Sequence, residues 1–406
     1  MSRARTIAVA YDCLFPYTTG GGERQYRAFA RRMAERGRTV DYLTARQWIG
    51  PEIPADEPFE VVPVSGRLAL YDAAGVRRAP AAFVYAAGLF RVLRRRRHRY
   101  GAIIVSGLPV LNVFAARIAL IGSGTRVVVD YLEVWGRRQW QEYNGPLLGT
   151  VAWILQRAAI AVTPIATAHS QLTARRLRAE GFRGRILVSP GLIDDDASAP
   201  VAPSPAAEPP YILYAGRHIP DKRVESLPAA VAVARERVPR LRLVILGDGP
   251  TSPAIDTAIA RADGAAWIDR PGFVSEDELN SLMAAATALV NPSRREGYGL
   301  VVVEAAAHGT PTVLVADASN ASTELISAGI NGFVSPSTDP VDVAEAIVRV
   351  AEEGSTMRSR TRAWYEDALR TRTVERTVDA ILDCIDAPDP PAEPTSTPSA
   401  PPKDPQ

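Results

Sequence analysis

The sequence predicts an α/β protein with two parallel sheets, each covered by helices on both faces. Three observations carry that prediction. Short apolar strands alternate with helix-length segments from Thr6 to Pro336, the pattern that parallel strands joined by crossover helices produce. One long run, DDDASAPVAPSPAAEPP at residues 194–210, is too rich in proline and acid to join either core and reads as an interdomain linker. The 406 residues, 47% hydrophobic and 23% charged, are enough to fill two or three cores. The expected organisation is a first domain over 1–193, the linker over 194–210, a second domain over 211–386 and a disordered tail over 387–406.

In the first half the strand candidates are TIAVAYD, TVDYLTA, GAIIVSG, TRVVVDY and GRILVSP. The opening MSRARTIAVAYD has basic residues and a short apolar run. Polar residues follow at once and there is no small-residue cleavage site, so it reads as a first strand and not a secretion signal. GGGER at Gly20 to Arg24, containing Gly21 and Gly22, follows the first of these strands. Next comes AAFVYAAGLF, an apolar helix ending in RVLRRRRHRY with Arg91, Arg94, Arg95, Arg96, Arg97 and Arg99. Two readings fit: a basic amphipathic helix on an anionic membrane surface, or a helix packed on a sheet whose basic end is solvated and complements the helix dipole. Residues 147–166 are the nearest thing to a membrane span, but Gln156 and Arg157 sit mid-segment and Pro164 near its end. A buried helix followed by a strand is expected there.

The second half reads as strands YILYAGR, LRLVILGDG, AAWIDRPG, ALVNPS, TPTVLVA and NGFVSP, then terminal helices over 357–386 that cross back to the first domain. Its most informative stretch is NPSRREGYGLVVVEAAAHGTPTVLV at 291–315. A buried strand runs into the turn Glu296-Gly297-Tyr298-Gly299, and a helix begins at Leu300 with Glu304 one turn inside. Unpaired amides and the positive helix end would face a phosphate in that turn, while Glu304 could accept hydrogen bonds from a neutral vicinal diol such as a ribose. Isolated glutamates are usually solvated; the order strand, glycine turn, acidic helix, strand argues against that here. A second constellation, YAGRHIPDKRVESL, sets Arg217 and Lys222 after a strand. Of 47 cationic residues only Lys222 and Lys403 are lysines, so Lys222 stands out in a chain that writes its cations as arginine. A compact ammonium can follow phosphate charge as it builds up, and Arg217 adds a broader fork.

Charge is divided between the halves. Residues 1–200 carry 28 arginines against 16 acids, and the remainder 19 cations against 29 acids. An anionic partner for the first half is implied; nucleic acid is disfavoured, because no aromatic platform or recognition motif accompanies the arginines. Cys13 and Cys384, near opposite ends, form neither a metal nor a disulfide pattern, which predicts a cytoplasmic setting, with the inner face of the membrane open. A nicotinamide dehydrogenase is disfavoured because no strand is followed by the glycine fingerprint and its later acid.

EGYGLVVVE, with Glu296 and Glu304, and GR followed by DK at Gly216, Arg217, Asp221 and Lys222 resemble the family 4 glycosyltransferases of the GT-B fold, over roughly residues 5–386. LGDGP, containing Gly247, and PGFVSEDEL, containing Phe273 and Val274, resemble further family segments. The resemblance implies two Rossmann-like doubly wound domains facing a central cleft and a retaining, metal-independent hexosyl transfer from a nucleoside-diphosphate sugar. It implies no cofactor; the nucleotide sugar is a substrate. Arg217 and Lys222 would bind the diphosphate, Glu304 the ribose, Glu296 and the amides of Gly297, Tyr298, Gly299 and Leu300 the sugar, and the backbone near Phe273 and Val274 the nucleobase. Gly21 and Gly22 would lie near the diphosphate and the acceptor. One departure stands out in DYLEVWG: the family commonly has histidine where this chain has Leu132, leaving Asp130, Glu133, a residue elsewhere or none to assist the acceptor. His169 and His308 read as structural, and His218 as within reach of a phosphate. A sugar-nucleotide epimerase or hydrolase on the same fold, and a non-catalytic scaffold, are the alternatives.

Overall fold

The computed structural model describes residues 6–18, 20–50, 56–70, 77–194 and 205–387. Residues 195–204 of the expected linker and 388–406 of the expected tail lie outside them.

The first sheet has seven strands, β1 (Thr6–Ala10), β2 (Val40–Ala45), β3 (Glu60–Ser65), β4 (Tyr100–Ser106), β5 (Arg126–Tyr131), β6 (Ile165–Ala168) and β7 (Arg185–Val188). All pair in parallel, in the order β3-β2-β1-β4-β5-β6-β7. Winding outward in both directions from β1 and β4 sends crossover helices to opposite faces. α1 (Gly21–Glu35) covers one face. α2 (Ala79–Arg95), α3 (Leu111–Ala119), α5 (Pro146–Val162) and α6 (Gln171–Ala179) cover the other, with the short α4 (Arg137–Asn144) between β5 and α5.

β3 was absent from the strands read in the sequence, because Pro63 breaks its pattern. It survives as an edge strand, where a missing ladder N–H is tolerated. The helix over 146–162 is not buried as expected. Gly149, Gln156, Ala159 and Ile160 face inward, whereas Leu147, Leu148, Val151 and Ile154 are exposed. Its apolar residues exceed what one sheet face can cover, so half of them remain outside.

The second sheet runs β10-β9-β8-β11-β13-β15, again all parallel. Its strands are β8 (Tyr211–Ala215), β9 (Arg242–Leu246), β10 (Ile268–Gly272), β11 (Ala288–Asn291), β13 (Thr312–Val315) and β15 (Gly332–Ser335). A separate two-residue ladder joins β12 (Arg295–Glu296) to β14 (Ser319–Asn320). The helices are α7 (Leu227–Ala234), α8 (Ser252–Arg261), α9 (Glu276–Ala285), α10 (Leu300–Ala307) and α11 (Pro340–Thr371), the last broken at Gly354, whose φ is +49°.

The chain crosses between sheets twice, and the crossings lie side by side. Ile193 donates its N–H to Arg372 O at 3.0 Å, and Val374 donates to Ile193 O at 2.9 Å. α12 (Val374–Asp386) then packs Val374, Val378, Ile381 and Leu382 into the first-sheet core beside α1. Arg36–Asp379 and Arg38–Asp386 ion pairs fasten its outer side. At the linker ends, Asp194 pairs with Arg32 and Ala207 donates to Ala285 O. No helix among the described residues is long and apolar enough to cross a membrane.

Candidate functional site

β8 and β11 are neighbours in the second sheet although two strands and three α-helices, β9, β10, α7, α8 and α9, separate them in sequence. Order reverses at this pair, so the loops leaving their C-terminal ends diverge and open a crevice. The loop after β8 carries Arg217 and Lys222; the loop after β11 carries Glu296. Adjacent strand ends therefore bring together residues 74 positions apart.

Lys222 ends a single 3-10 turn, Pro220–Lys222, and its Nζ donates to Glu296 Oε1. The same oxygen accepts Asn291 Nδ2 at 3.0 Å. Burial alone would raise the Glu296 carboxyl, but the Lys222 ammonium and these hydrogen bonds hold it below the usual carboxylate range. Arg217 is exposed and makes no side-chain hydrogen bond or ion pair among the described residues. A cation fixed against a carboxylate thus shares its loop with one that makes no side-chain bond among the described residues.

The loops are shaped by glycines that nothing larger could replace. Gly247 has φ +105°, and a Cβ there would lie 2.0 Å from Gly216 O. Gly299, at φ +106°, starts α10, and its Cβ would meet Ser322 Cβ at 2.4 Å. α10 therefore begins directly at the end of the Glu296 turn, with Val302 N–H bonded back to Gly299 O at 3.0 Å. Glu304 lies one turn further and meets Arg24 Nη1, from α1 across the cleft, at 3.3 Å. Enclosure by the cleft walls raises the Glu304 carboxyl despite Arg24.

The first domain reaches this crevice directly. A Cβ at Gly21 would lie 3.1 Å from Leu300 Cδ1, and one at Gly22 would lie 2.6 Å from Tyr11 Oη. Gly297 sits under the loop after β5: its Cβ would be 2.4 Å from Leu132 O and 3.0 Å from Glu133 Cγ. Arg24, Glu304, Leu300 and Glu276 line a cavity of about 230 Å³ between the domains.

Other candidates are placed differently. Tyr298 is tied down, its hydroxyl accepting Leu192 N–H at 3.2 Å while its ring packs against both cores. Val274 is half-buried against the second core, and Phe273 beside it is exposed. His218 does not reach outward: it is fully buried, its Nδ1 bonds Ser252 Oγ at 2.9 Å, and burial lowers its pKa. Asp130 is also sealed, accepting from Tyr26 Oη at 2.7 Å, Gln25 Nε2 at 3.1 Å and Thr167, with His169 Nε2 at 2.7 Å. With no exposed oxygen it cannot meet an acceptor. His308 is buried, as the sequence suggested.

Two residues enter the site that the sequence motifs did not mark. Arg295 is buried, and its guanidinium lies 4.1 Å from the Trp135 ring centroid. Glu133, named only as one of several acceptor-side possibilities, faces the Lys222–Glu296 pair from the other domain. It accepts Trp135 Nε1 at 2.6 Å, and burial pushes its carboxyl up. The acid in DYLEVWG was the available signal, but only the domain contact shows what it faces.

Residues 209–353 match the family model described as Glycosyl transferases group 1. Among similar sequences are a D-inositol 3-phosphate glycosyltransferase of Nocardioides sp., 33% identical over 187 residues, covering 42% of this chain and 40% of the relative. An alpha-D-kanosaminyltransferase of Streptomyces kanamyceticus is 31% identical, covering 36% and 37%. A glycogen synthase of Mycobacterium tuberculosis is 32% identical, covering 52% and 50%. The chain thus spans about half or less of the length of these relatives. Among solved structures, sucrose-phosphate synthase of Thermosynechococcus elongatus superposes with TM-score 0.74 at 17% identity, covering 94% of this chain and 98% of that one. Anabaena HepE in complex with UDP and glucose gives TM-score 0.68 at 17% identity, covering 94% and 99%.

Proposed function

We propose that this chain, a GT-B protein whose second half is a group 1 glycosyltransferase domain, moves a hexosyl unit from a nucleoside-diphosphate sugar to a lipid-linked, glycan or small-molecule acceptor. The observation that carries the reading is the Lys222–Glu296 contact that joins the loops after β8 and β11, with Arg217 on the first loop and the start of α10 and Glu304 following the second. The UDP and glucose in the HepE complex support a donor of this class.

In this reading the diphosphate lies against Arg217, Lys222 and the first amides of α10. Departure of the nucleoside diphosphate concentrates negative charge on its terminal phosphate. Cations that hold that charge more strongly than the ground state lower the barrier, and a phosphate competes with Glu296 for Lys222 as it develops. Glu296, kept ionised by its surroundings, accepts hydroxyl hydrogen bonds from the sugar. Glu304 does the same for the ribose diol once Arg24 has been displaced. Attack comes from the leaving group's own face, with retention as in family 4, and a phosphate oxygen takes the acceptor's proton. This route uses no protein nucleophile, and Leu132 in place of a histidine does not block it. A cytoplasmic setting is supported by Cys13 and Cys384, both buried and unpaired.

The test is a thermal-shift screen of GDP-, UDP- and ADP-sugars on the native chain and Lys222→Ala. One nucleotide series should raise the melting temperature of the native chain, since a ligand that binds only the folded state stabilises it, and the shift should shrink in the variant. No shift with any nucleotide sugar would overturn the reading.

A further inference from the structure

Three helices on one face of the first sheet, α2, α3 and α5, lie side by side, α2 against α3 and α3 against α5. Their outer surface is unusual in two respects. On α5, Leu147 is 76%, Leu148 67% and Ile154 54% exposed; on α3, Ile121 just past its end is 67% exposed; on α2, Phe83 is exposed as well. Large apolar side chains so clustered exceed the scattered exposure usual on a monomer. The second feature is charge: the sequences of the three helices contain no aspartate or glutamate, but they carry Arg91, Arg94, Arg95, Arg117 and Arg157.

The neighbouring acids are already engaged. Glu180 faces Arg157 at 4.0 Å, Glu142 pairs with Arg294 of the second domain, and Asp41 and Glu60 hold Arg96 and Arg99. That leaves Arg91, Arg94 and Arg95 exposed and without an ion pair among the described residues. The basic run therefore divides, its last turn stitched to β2 and β3 and the rest facing outward with the apolar residues. The apolar side of α5 cannot turn inward, because a Cβ at Gly149 would meet Trp140 O at 2.3 Å; the α4–α5 hairpin is already in close contact.

We propose that the α2–α3–α5 face docks on an anionic lipid bilayer, with Leu147, Leu148, Val151 and Ile154 entering the interface and the arginines meeting lipid phosphates. Apolar side chains supply binding through burial, and cations add attraction to a negative surface. Unpaired arginines beside exposed aliphatic side chains match the two layers of an anionic bilayer, phosphates at the surface and acyl chains beneath. α5 begins where α4 ends, and α4 lies against the second domain through Arg294. Docking would therefore set the cleft mouth near the lipid surface, so that the acceptor is membrane-borne. That last step alone rests on the transferase reading.

The test uses the full chain with vesicles of equimolar phosphatidylglycerol and phosphatidylcholine, and of phosphatidylcholine alone. The native chain should sediment with the anionic vesicles and less with the neutral ones. Leu148→Glu/Ile154→Glu should lower partitioning by at least about tenfold, and Arg94→Gln/Arg95→Gln by less, with melting temperatures and nucleotide-sugar shifts unchanged. Equal sedimentation of the Leu148/Ile154 variant and the native chain overturns the proposal. So does a native dimer that this variant makes monomeric, with no vesicle binding. Vesicle binding without any nucleotide-sugar shift would defeat the transferase reading and leave the docking face intact.

Discussion

Lys222 is the residue on which most depends. Its ammonium is partly exposed and held by Glu296, so truncation removes a charge from the crevice without opening a core. Lys222→Ala should reduce sugar transfer by about a hundredfold or more and leave the melting temperature within a few degrees; unchanged turnover with the true donor and acceptor would remove its role. Glu133 behaves oppositely. Its carboxyl is raised by burial in the folded protein, so the folded state holds the proton better than the unfolded chain. Stability associated with it is present below the usual glutamate range, about 4.3, and is lost as pH rises through the higher folded value. Glu133→Gln should accordingly melt higher than the native chain at neutral pH, with the gain disappearing in acid. A melting curve insensitive to this substitution at both pH values would show that the carboxyl is not so enclosed. The sequence picked out Lys222 by the scarcity of lysine, and Glu296 and Glu304 by their spacing around a glycine turn. It passed over Arg295, because an arginine buried over a tryptophan looks like any other in a chain with 44 further arginines and two lysines.

At the scale of elements, α10 and the turn before it were readable because local chemistry determines them. Gly299 must take φ +106°, and an apolar run with Glu304 one turn in has helical period. The β8–β11 adjacency was not readable, since strand order is set by packing and not by sequence neighbours. Pro63 hides β3, which an edge position excuses, and the exposed half of α5 is not legible because composition cannot say which half of an apolar helix has a partner. Gly297 gives the sharpest element-level expectation. Gly297→Ala would drive a Cβ to 2.4 Å from Leu132 O, between the Glu296 loop and the loop after β5. Transfer should fall by about tenfold or more as the domains are held apart, while nucleotide binding to the second domain persists. Loss of nucleotide-induced stabilisation together with activity would instead place the damage inside the second domain.

For the whole molecule, the informative feature is that α12 belongs to the first-sheet core although it follows the second sheet. Val374, Val378, Ile381 and Leu382 bury against α1 and its neighbours, so ending the chain at Thr371 would uncover an apolar face. Such a truncation should lower the melting temperature by more than about 5 °C or make the protein insoluble; an unchanged transition would mean that α12 contributes little. Glu324 links the domains from another side, accepting the N–H groups of Gln171 and Leu172 at 2.8 Å each at the start of α6. A carboxylate on a helix N-terminus is favourable, and Glu324→Ala should loosen the closed arrangement, read as a larger radius by small-angle scattering in the absence of nucleotide.

By itself the sequence determined the α/β class, most of the strands and the residue types that suit a nucleotide sugar. These follow from local periodicity, turn chemistry and the scarcity of lysine, all of which are written along the chain. Only the tertiary structure decided that Lys222 meets Glu296, that Arg24 closes on Glu304, that Asp130 is sealed and Glu133 is not aligned with it, and that half of α5 faces outward. Each depends on which strands pair and which domain faces which, and those choices minimise exposed apolar area and unpaired polar groups over the whole chain, information that no local segment contains.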